Sequence, residues 1–310
     1  MGDAERRPAA LRVICGPTGA GKSALAMALA ERFPLAILSA DSRQIYRGFD
    51  IGTAKPTAEE RRRVPHFGID VAHPAERYSA AAWAEGARCW VEEARSAGRT
   101  PVVVGGTGFY IRALVEPLFA EPHLDPAARR ALERELAELA TSELARRVRE
   151  LDPARAHLGR TQLLRAIEVA LLTGTPISEW HRRAARGGGV RARYLVVDPG
   201  AALRARIEAR VHAMLDAGWM AETERLMAAV PEEAPAWNAT GYATVRRHAR
   251  GELSLDAAIE RITIDTRQYA KRQRTWFRHQ LPEAEVTRID PTAPHAAESA
   301  AAWWEEGEDT

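Results

Sequence analysis

Apolar positions fall in short continuous runs near the start of the chain, and stretches of helical spacing separate them. Leu11, Val13 and Ile14 form one run, Leu35-Ala36-Ile37-Leu38-Ser39-Ala40 a second and Pro101-Val102-Val103-Val104 a third. Runs of this length and composition predict strands buried on both faces. Residues 24–30 and 78–96 read as helices, the second closed by Gly98. Strands alternating with helices predict an α/β fold, a parallel sheet flanked by helices. From 125 to 179 the pattern changes to Arg- and Glu-rich helical stretches at 128–140, 142–151 and 163–172. They predict an all-helical insertion domain over residues 121–185 that interrupts a core begun by residues 1–120. A basic linker follows at 186–193, where Gly187-Gly188-Gly189 sits among arginines without an acid. Tyr194-Leu195-Val196-Val197-Asp198 returns to the sheet, and the core is expected to run on to 290. Within it, Leu203, Ile207, Val211 and Leu215 mark one helix, and residues 256–280 form a long one that repeats Arg267, Lys271, Arg274 and Arg278 on one side. Residues 291–310 are acidic and Ala-rich and are expected to be partly disordered.

Composition narrows this picture only a little. With 310 residues, 46% of them apolar, the chain can bury a full core and carry a second lobe. The 44 basic and 42 acidic residues nearly cancel, so charge balance alone does not announce nucleic acid. Two cysteines, Cys15 and Cys89, suit a reduced compartment. No run of eighteen apolar residues and no export signal is present, so a cytoplasmic protein with no membrane partner is expected. The histidines show no metal-ligand spacing.

The chemistry lies between the first strand and the first helix. Gly16-Pro17-Thr18-Gly19-Ala20-Gly21-Lys22-Ser23 is a P-loop in its strand–loop–helix setting. Its glycines let backbone N–H groups converge on an anion, Lys22 would meet outer phosphate oxygens and Ser23 would hold Mg²⁺. Asp41 ends the second strand, and Gly105-Gly106-Thr107 ends the third. In parallel sheets ligands lie beyond the carboxyl ends of the strands, so these segments converge. A carboxylate and a hydroxyl beside a bound diphosphate suggest a nucleophile aimed at the group that the diphosphate leaves. Asp41 or Asp198 could instead tune Mg²⁺ in a small-molecule kinase, and a P-loop RNA-binding ATPase is a further reading.

Five strings decide among these readings. They are Gly16 to Ser23, Asp41-Ser42-Arg43-Gln44-Ile45-Tyr46, Asp50-Ile51-Gly52-Thr53-Ala54-Lys55-Pro56, Val104-Gly105-Gly106-Thr107-Gly108-Phe109-Tyr110 and Thr266-Arg267-Gln268-Tyr269-Ala270-Lys271-Arg272-Gln273-Arg274-Thr275-Trp276-Phe277. In this order they resemble the motifs of tRNA dimethylallyltransferases, from about Leu11 to about Asp290. The resemblance implies a P-loop NTPase-like core that transfers a dimethylallyl group from dimethylallyl diphosphate to N6 of adenine 37, in the anticodon stem-loop of tRNAs reading codons that begin with U. Asp41 matches the family's base, and Thr18 and Thr107 match positions near the donor and the acceptor amine. Arg206 and Arg210 match arginines that reach the diphosphate. Ser42, Arg43 and Gln44 would hold the base. Arg129, Gly241, Tyr242, Arg267, Lys271 and Arg274 would contact the RNA, with Mg²⁺ as cofactor and a monomer as the working form. An isopentenyltransferase acting on free AMP or ADP would share the core without needing the RNA lobe. The chain departs from the family pattern at Leu158-Gly159-Arg160-Thr161-Gln162, where Asn-Asp-x-x-Arg is usual. It departs again at Asn238-Ala239-Thr240-Gly241-Tyr242-Ala243, whose missing final base Arg246 or Arg247 would have to replace.

Overall fold

The computed structural model describes residues 10–116, 124–184 and 190–306. Among the described residues six strands form one all-parallel sheet in the order β3-β2-β4-β1-β5-β6. Their ranges are β1 Leu11–Cys15, β2 Leu35–Ala40, β3 His66–Phe67, β4 Thr100–Gly105, β5 Ala192–Val197 and β6 Val286–Ile289. The expected runs become β1, β2, β4 and β5, the central strands, whose residues are almost all buried. The edge strands carry no such signal: β3 has two residues, and β6 exposes Thr287 and Arg288, so neither shows a buried run.

Around the sheet stand α1 (Lys22–Ala30), α2 (Ala58–Arg63), α3 (Ala80–Ser96) and α4 (Gly108–Val115). The chain divides by contact density into Met1–Val115 with Val190–Thr310, and a separate unit, Glu116–Gly189. The second unit holds α5 (Pro126–Ala137), α6 (Thr141–Leu151), α7 (Arg160–Thr173) and α8 (Ile177–Ala184), closed around Leu136, Leu144, Val148, Leu163 and Ile167. Residues 186–189 of the expected linker lie outside the described residues. The first unit resumes with α9 (Leu203–Asp216), α10 (Trp219–Ala229), α11 (Tyr242–Ala249), α12 (Leu255–His279) and α13 (Ala296–Glu305).

Helix α13 corrects the expectation of a disordered tail. Its sequence is acidic and Ala-rich, yet Ala296, Ala300, Ala301, Trp303 and Trp304 share one face and are buried in the cluster that includes Leu25, Leu29 and Val102. Two indoles outweigh the composition. The Arg12 guanidinium lies 4.6 Å over the Trp304 ring and donates to the Trp304 carbonyl at 2.9 Å.

Register is what assembles the site. Gly105 lies opposite both Cys15 and Ala40, so β1, β4 and β2 end level with one another. The P-loop, Asp41 and Gly106-Thr107 therefore leave the sheet along a single edge.

Candidate active site

The P-loop runs from Gly16 to the start of α1, with Gly16, Gly19 and Gly21 all at positive φ. Gly19 at +78° and Gly21 at +100° take left-handed conformations that a side chain would strain. Gly21 caps α1 without a side-chain hydrogen bond, which leaves the first-turn N–H groups for an anion. Lys22 Nζ donates to the Pro17 carbonyl at 2.8 Å. Burial pulls the Lys22 ammonium down to about 8, opposed by the charge of Asp41 and reinforced by that of Arg210. Burial also lowers Arg210, again with Asp41 opposing. Arg206 is exposed, and its Nε donates to the Gly19 carbonyl at 2.9 Å. Cys15, below the loop, is pushed up to about 12 by burial and stays a neutral thiol.

Thr18, Gly19, Gly21, Lys22, Ser23, Asp41, Gln44, Gly106, Arg206 and Arg210 line one cleft of about 450 Å³. A second cleft of about 250 Å³ is lined by Arg43, Gly52, Thr53, Trp219, Tyr269 and Arg272, among others. The two share Thr18, Asp41 and Arg210. A molecule entering by either cleft therefore meets the other's occupant at those three side chains.

The Asp41–Gln44 loop is held from several directions. Asp41 Oδ1 accepts from the Arg43 N–H at 2.8 Å, and Thr107 Oγ1 accepts from the Ser42 N–H at 3.0 Å. The Thr107 side chain also hydrogen-bonds the Tyr269 hydroxyl, and burial pushes that phenol up to about 12. Two residues that stand in the motif strings without an assigned role complete the frame. Gln273, buried in α12, accepts from the Thr18 N–H at 2.8 Å and donates to the Gly106 carbonyl at 2.8 Å, so it bridges P-loop and glycine loop. A Cβ on Gly106 would sit 2.3 Å from Gln273 Nε2, so only glycine permits this approach. Lys55 Nζ, also buried, donates to Tyr46 O, Asp50 Oδ1 and Asp70 Oδ1 at 2.6, 2.7 and 2.5 Å.

Other expected site residues sit elsewhere or carry other duties. Tyr242 is fully buried, packed against Phe49 and Trp219, and its hydroxyl donates to Glu222, so it presents nothing to an RNA. Gly241 takes φ +95°, and its Cβ would strike Trp219 at 2.3 Å, which makes the Gly-Tyr pair a packing device. Arg246 does not replace the missing base: it is buried over the Trp237 ring and paired with Glu232. Arg274 pairs with Asp198, which takes Asp198 out of contention as a metal-tuning carboxylate. Arg267 is half-buried, whereas Lys271 is exposed on α12. In the other unit, Arg129 Nε lies 3.3 Å from Glu168 and 3.4 Å from Glu133.

Among the described residues no group of three or more His, Cys, Asp or Glu could hold a metal. The donor set at the P-loop is one exposed hydroxyl, Ser23, beside the Asp41 carboxylate. That suits a hard cation which takes most of its oxygens from a bound diphosphate and water.

The all-parallel sheet, the P-loop at its edge and two clefts meeting at a carboxylate define a P-loop-type α/β enzyme that works on a diphosphate and a second substrate. The chain belongs to the IPP transferase family, whose model matches residues 44–280; a related model, isopentenyl transferase, matches residues 9–67. It is 42% identical to a tRNA dimethylallyltransferase of Cyanothece sp. over 92% of this chain and 93% of that one. A tRNA dimethylallyltransferase of Anaeromyxobacter sp. is 43% identical, over 94% and 95% of the two chains. Among solved structures, the full-length tRNA isopentenylpyrophosphate transferase of Bacillus halodurans aligns with TM-score 0.68 and 31% identity, over 97% of both chains. A eukaryotic dimethylallyltransferase acting on tRNA aligns with TM-score 0.78 and 25% identity, over 95% of this chain and 77% of that one.

Proposed function

We propose that the protein transfers a dimethylallyl group from dimethylallyl diphosphate to N6 of adenine 37 in the anticodon stem-loop of tRNA. The observation that carries this reading is the pair of clefts that meet at Thr18, Asp41 and Arg210. A kinase of a small metabolite has no need of a second entrance with an arginine-bearing rim. The donor's diphosphate lies in the P-loop cleft against Lys22, the loop amides, Arg206 and Arg210. The adenine, unstacked from its loop, enters by the second cleft between Arg43 and Tyr269.

The exocyclic amine is a poor nucleophile, because its lone pair is delocalised into the ring. Asp41 accepts its proton as the bond from N6 to the allylic carbon forms and the bond from that carbon to the diphosphate oxygen breaks. Thr107, held by Ser42 and Tyr269, orients the amine. Negative charge grows on the leaving diphosphate, where Lys22 and the two arginines oppose it. Ser23 would hold Mg²⁺ with the donor's oxygens, and the ion when bound supplies further positive charge to the leaving group. Lys271 and Arg267 on α12 and Arg129 in the helical unit contribute to RNA binding, the last by giving up one of its two carboxylate partners. The chain works as a monomer in the cytoplasm.

The test is incubation with labelled dimethylallyl diphosphate, Mg²⁺ and either a tRNA bearing A36-A37-A38 or free AMP. Label on the tRNA adenine is expected. Transfer to AMP alone would replace the reading by a free-nucleotide isopentenyltransferase, and ATP turnover without transfer would end it.

A pH effect follows from Lys22. Its folded pKa is depressed to about 8, so the ammonium is present below that pH and lost above it. A diphosphate favours the charged form, so donor binding takes up protons near pH 8 and weakens as pH rises through it. Calorimetry in two buffers of different ionisation enthalpy reads the uptake directly. A donor KM that stays flat between about pH 7 and 9 would remove Lys22 from the diphosphate.

A further inference from the structure

Glu222, in the first turn of α10, lines neither cleft and is 2% exposed. Its carboxylate meets four donors. Oε2 accepts from the Ile51 N–H at 2.8 Å and the Asp50 N–H at 3.1 Å. Oε1 accepts from the Tyr242 hydroxyl at 2.5 Å and the Gly52 N–H at 3.4 Å. Burial first, then the neighbouring carboxylate, pushes the Tyr242 phenol far above its ordinary value, so the phenol is a fixed donor. A buried anion persists only where donors replace its water, and here three consecutive backbone amides do so.

Those amides belong to a turn that touches the site. Gly52 and Thr53 line the second cleft. The carbonyls of Thr53 and Ala54 accept from Gln44 Nε2 at 3.2 and 2.9 Å, and Gln44 Oε1 accepts from Ser39 Oγ at 2.8 Å. Gln44 closes the loop that begins at Asp41. The turn also rests on an indole, since a Cβ on Gly52 would lie 2.1 Å from Trp219 Nε1. A continuous chain of hydrogen bonds therefore runs from Glu222 through residues 50–54 and Gln44 to the loop bearing the base.

We infer that Glu222 is a positioning residue for the acceptor side of the reaction: its carboxylate fixes the turn at 50–54 and, through Gln44, the Asp41–Gln44 loop. This rests on the reading of the second cleft as the acceptor's. Its chemistry explains why a carboxylate and no other buried group occupies the position. All four partners are donors, and a carboxylate is the one side chain that only accepts. Glutamine has the same shape but turns one acceptor into a donor that faces an N–H. The chain of bonds reaches the wall of the P-loop cleft at Gln44, Ser39 and Ala54 but not the loop amides or Lys22 that face the diphosphate, so donor affinity should change far less than turnover of the acceptor.

The experiment compares Glu222→Gln with the wild-type protein by amide hydrogen exchange and by steady-state kinetics with both substrates. Exchange at the Asp50, Ile51 and Gly52 amides should speed up by about tenfold or more, with β1 and β4 unchanged. Catalytic efficiency toward tRNA should fall about tenfold or more, while KM for dimethylallyl diphosphate stays within about twofold. Tyr242→Phe, which removes one of the four donors and keeps the three amides, should shift the same readouts the same way by less. It carries the exchange test if the glutamine variant does not fold. Unchanged exchange at residues 50–52, or a donor KM that rises in step with the loss toward tRNA, would overturn the assignment. Wild-type transfer to tRNA, measured in parallel, tests the underlying reading separately, because the exchange result does not depend on which acceptor is used.

Discussion

Replacing Asp41 with alanine is expected to lower kcat for prenyl transfer by about 10²- to 10⁴-fold, the usual contribution of a positioned general base. KM for the donor and for tRNA should move only a few-fold. The geometry makes the split sharp. Asp41 stands on the wall common to both clefts, which in the proposed mechanism is where the amine from one side meets the donor from the other. Its charge raises the proton affinity of Lys22 and Arg210, so its removal makes Lys22 easier to deprotonate and also removes a negative charge from beside the diphosphate. The two effects on donor binding oppose each other. Asp41→Asn is the cleaner variant, since its carbonyl oxygen can still accept from the Arg43 N–H that Asp41 accepts at 2.8 Å. It keeps the loop and loses the base. Single-turnover rates with saturating tRNA read the chemical step alone. If both variants lost tRNA binding as steeply as rate, Asp41 would be a binding residue, and another group would have to take the proton.

What could be read from the chain alone divides along physical lines. Strands β1, β2, β4 and β5 are legible because burial on both faces forces continuous apolar runs. The P-loop is legible because an anion cradle constrains four positions at once. The duties of Gln273, although it stands in one of the motif strings, and of Glu222 are not: one polar residue inside a helix looks the same whether it faces water or bridges two loops, and only tertiary contacts tell these apart. The same ambiguity misdirects in the opposite sense at Tyr242, where a Gly-Tyr string suggests an RNA contact but the ring is wholly buried. On α12 the basic stripe is real in sequence, yet Arg274 spends its charge on Asp198 and the Gly200 carbonyl, while Lys271 stays exposed. Charge periodicity reports a face of a helix and says nothing of what that face meets.

Tail helix α13 gives the second large effect. Trp304→Ala should destabilise the core unit by about 3 kcal/mol, at the low end of the range for truncating a buried tryptophan. Trp304 is fully buried, stacked on Phe33 at 5.5 Å between ring centroids and covered by the Arg12 guanidinium. Two features keep the loss from being larger. The Arg12 bond to the residue's backbone carbonyl survives the substitution. Among the described residues the buried indole Nε1 meets no acceptor, so its removal also relieves an unsatisfied donor. For a unit of this size the change should lower the melting temperature by about 6–12 °C. Because α13 packs on α1 through the cluster holding Leu25 and Leu29, the helix that supplies the P-loop loses its backing. Donor binding should therefore weaken as temperature rises well before the protein melts, while transfer at low temperature stays close to wild type, since α13 lines neither cleft. Calorimetric scans with and without dimethylallyl diphosphate separate the two effects. A melting shift below about 2 °C would mean that the terminal helix carries no part of the core's stability.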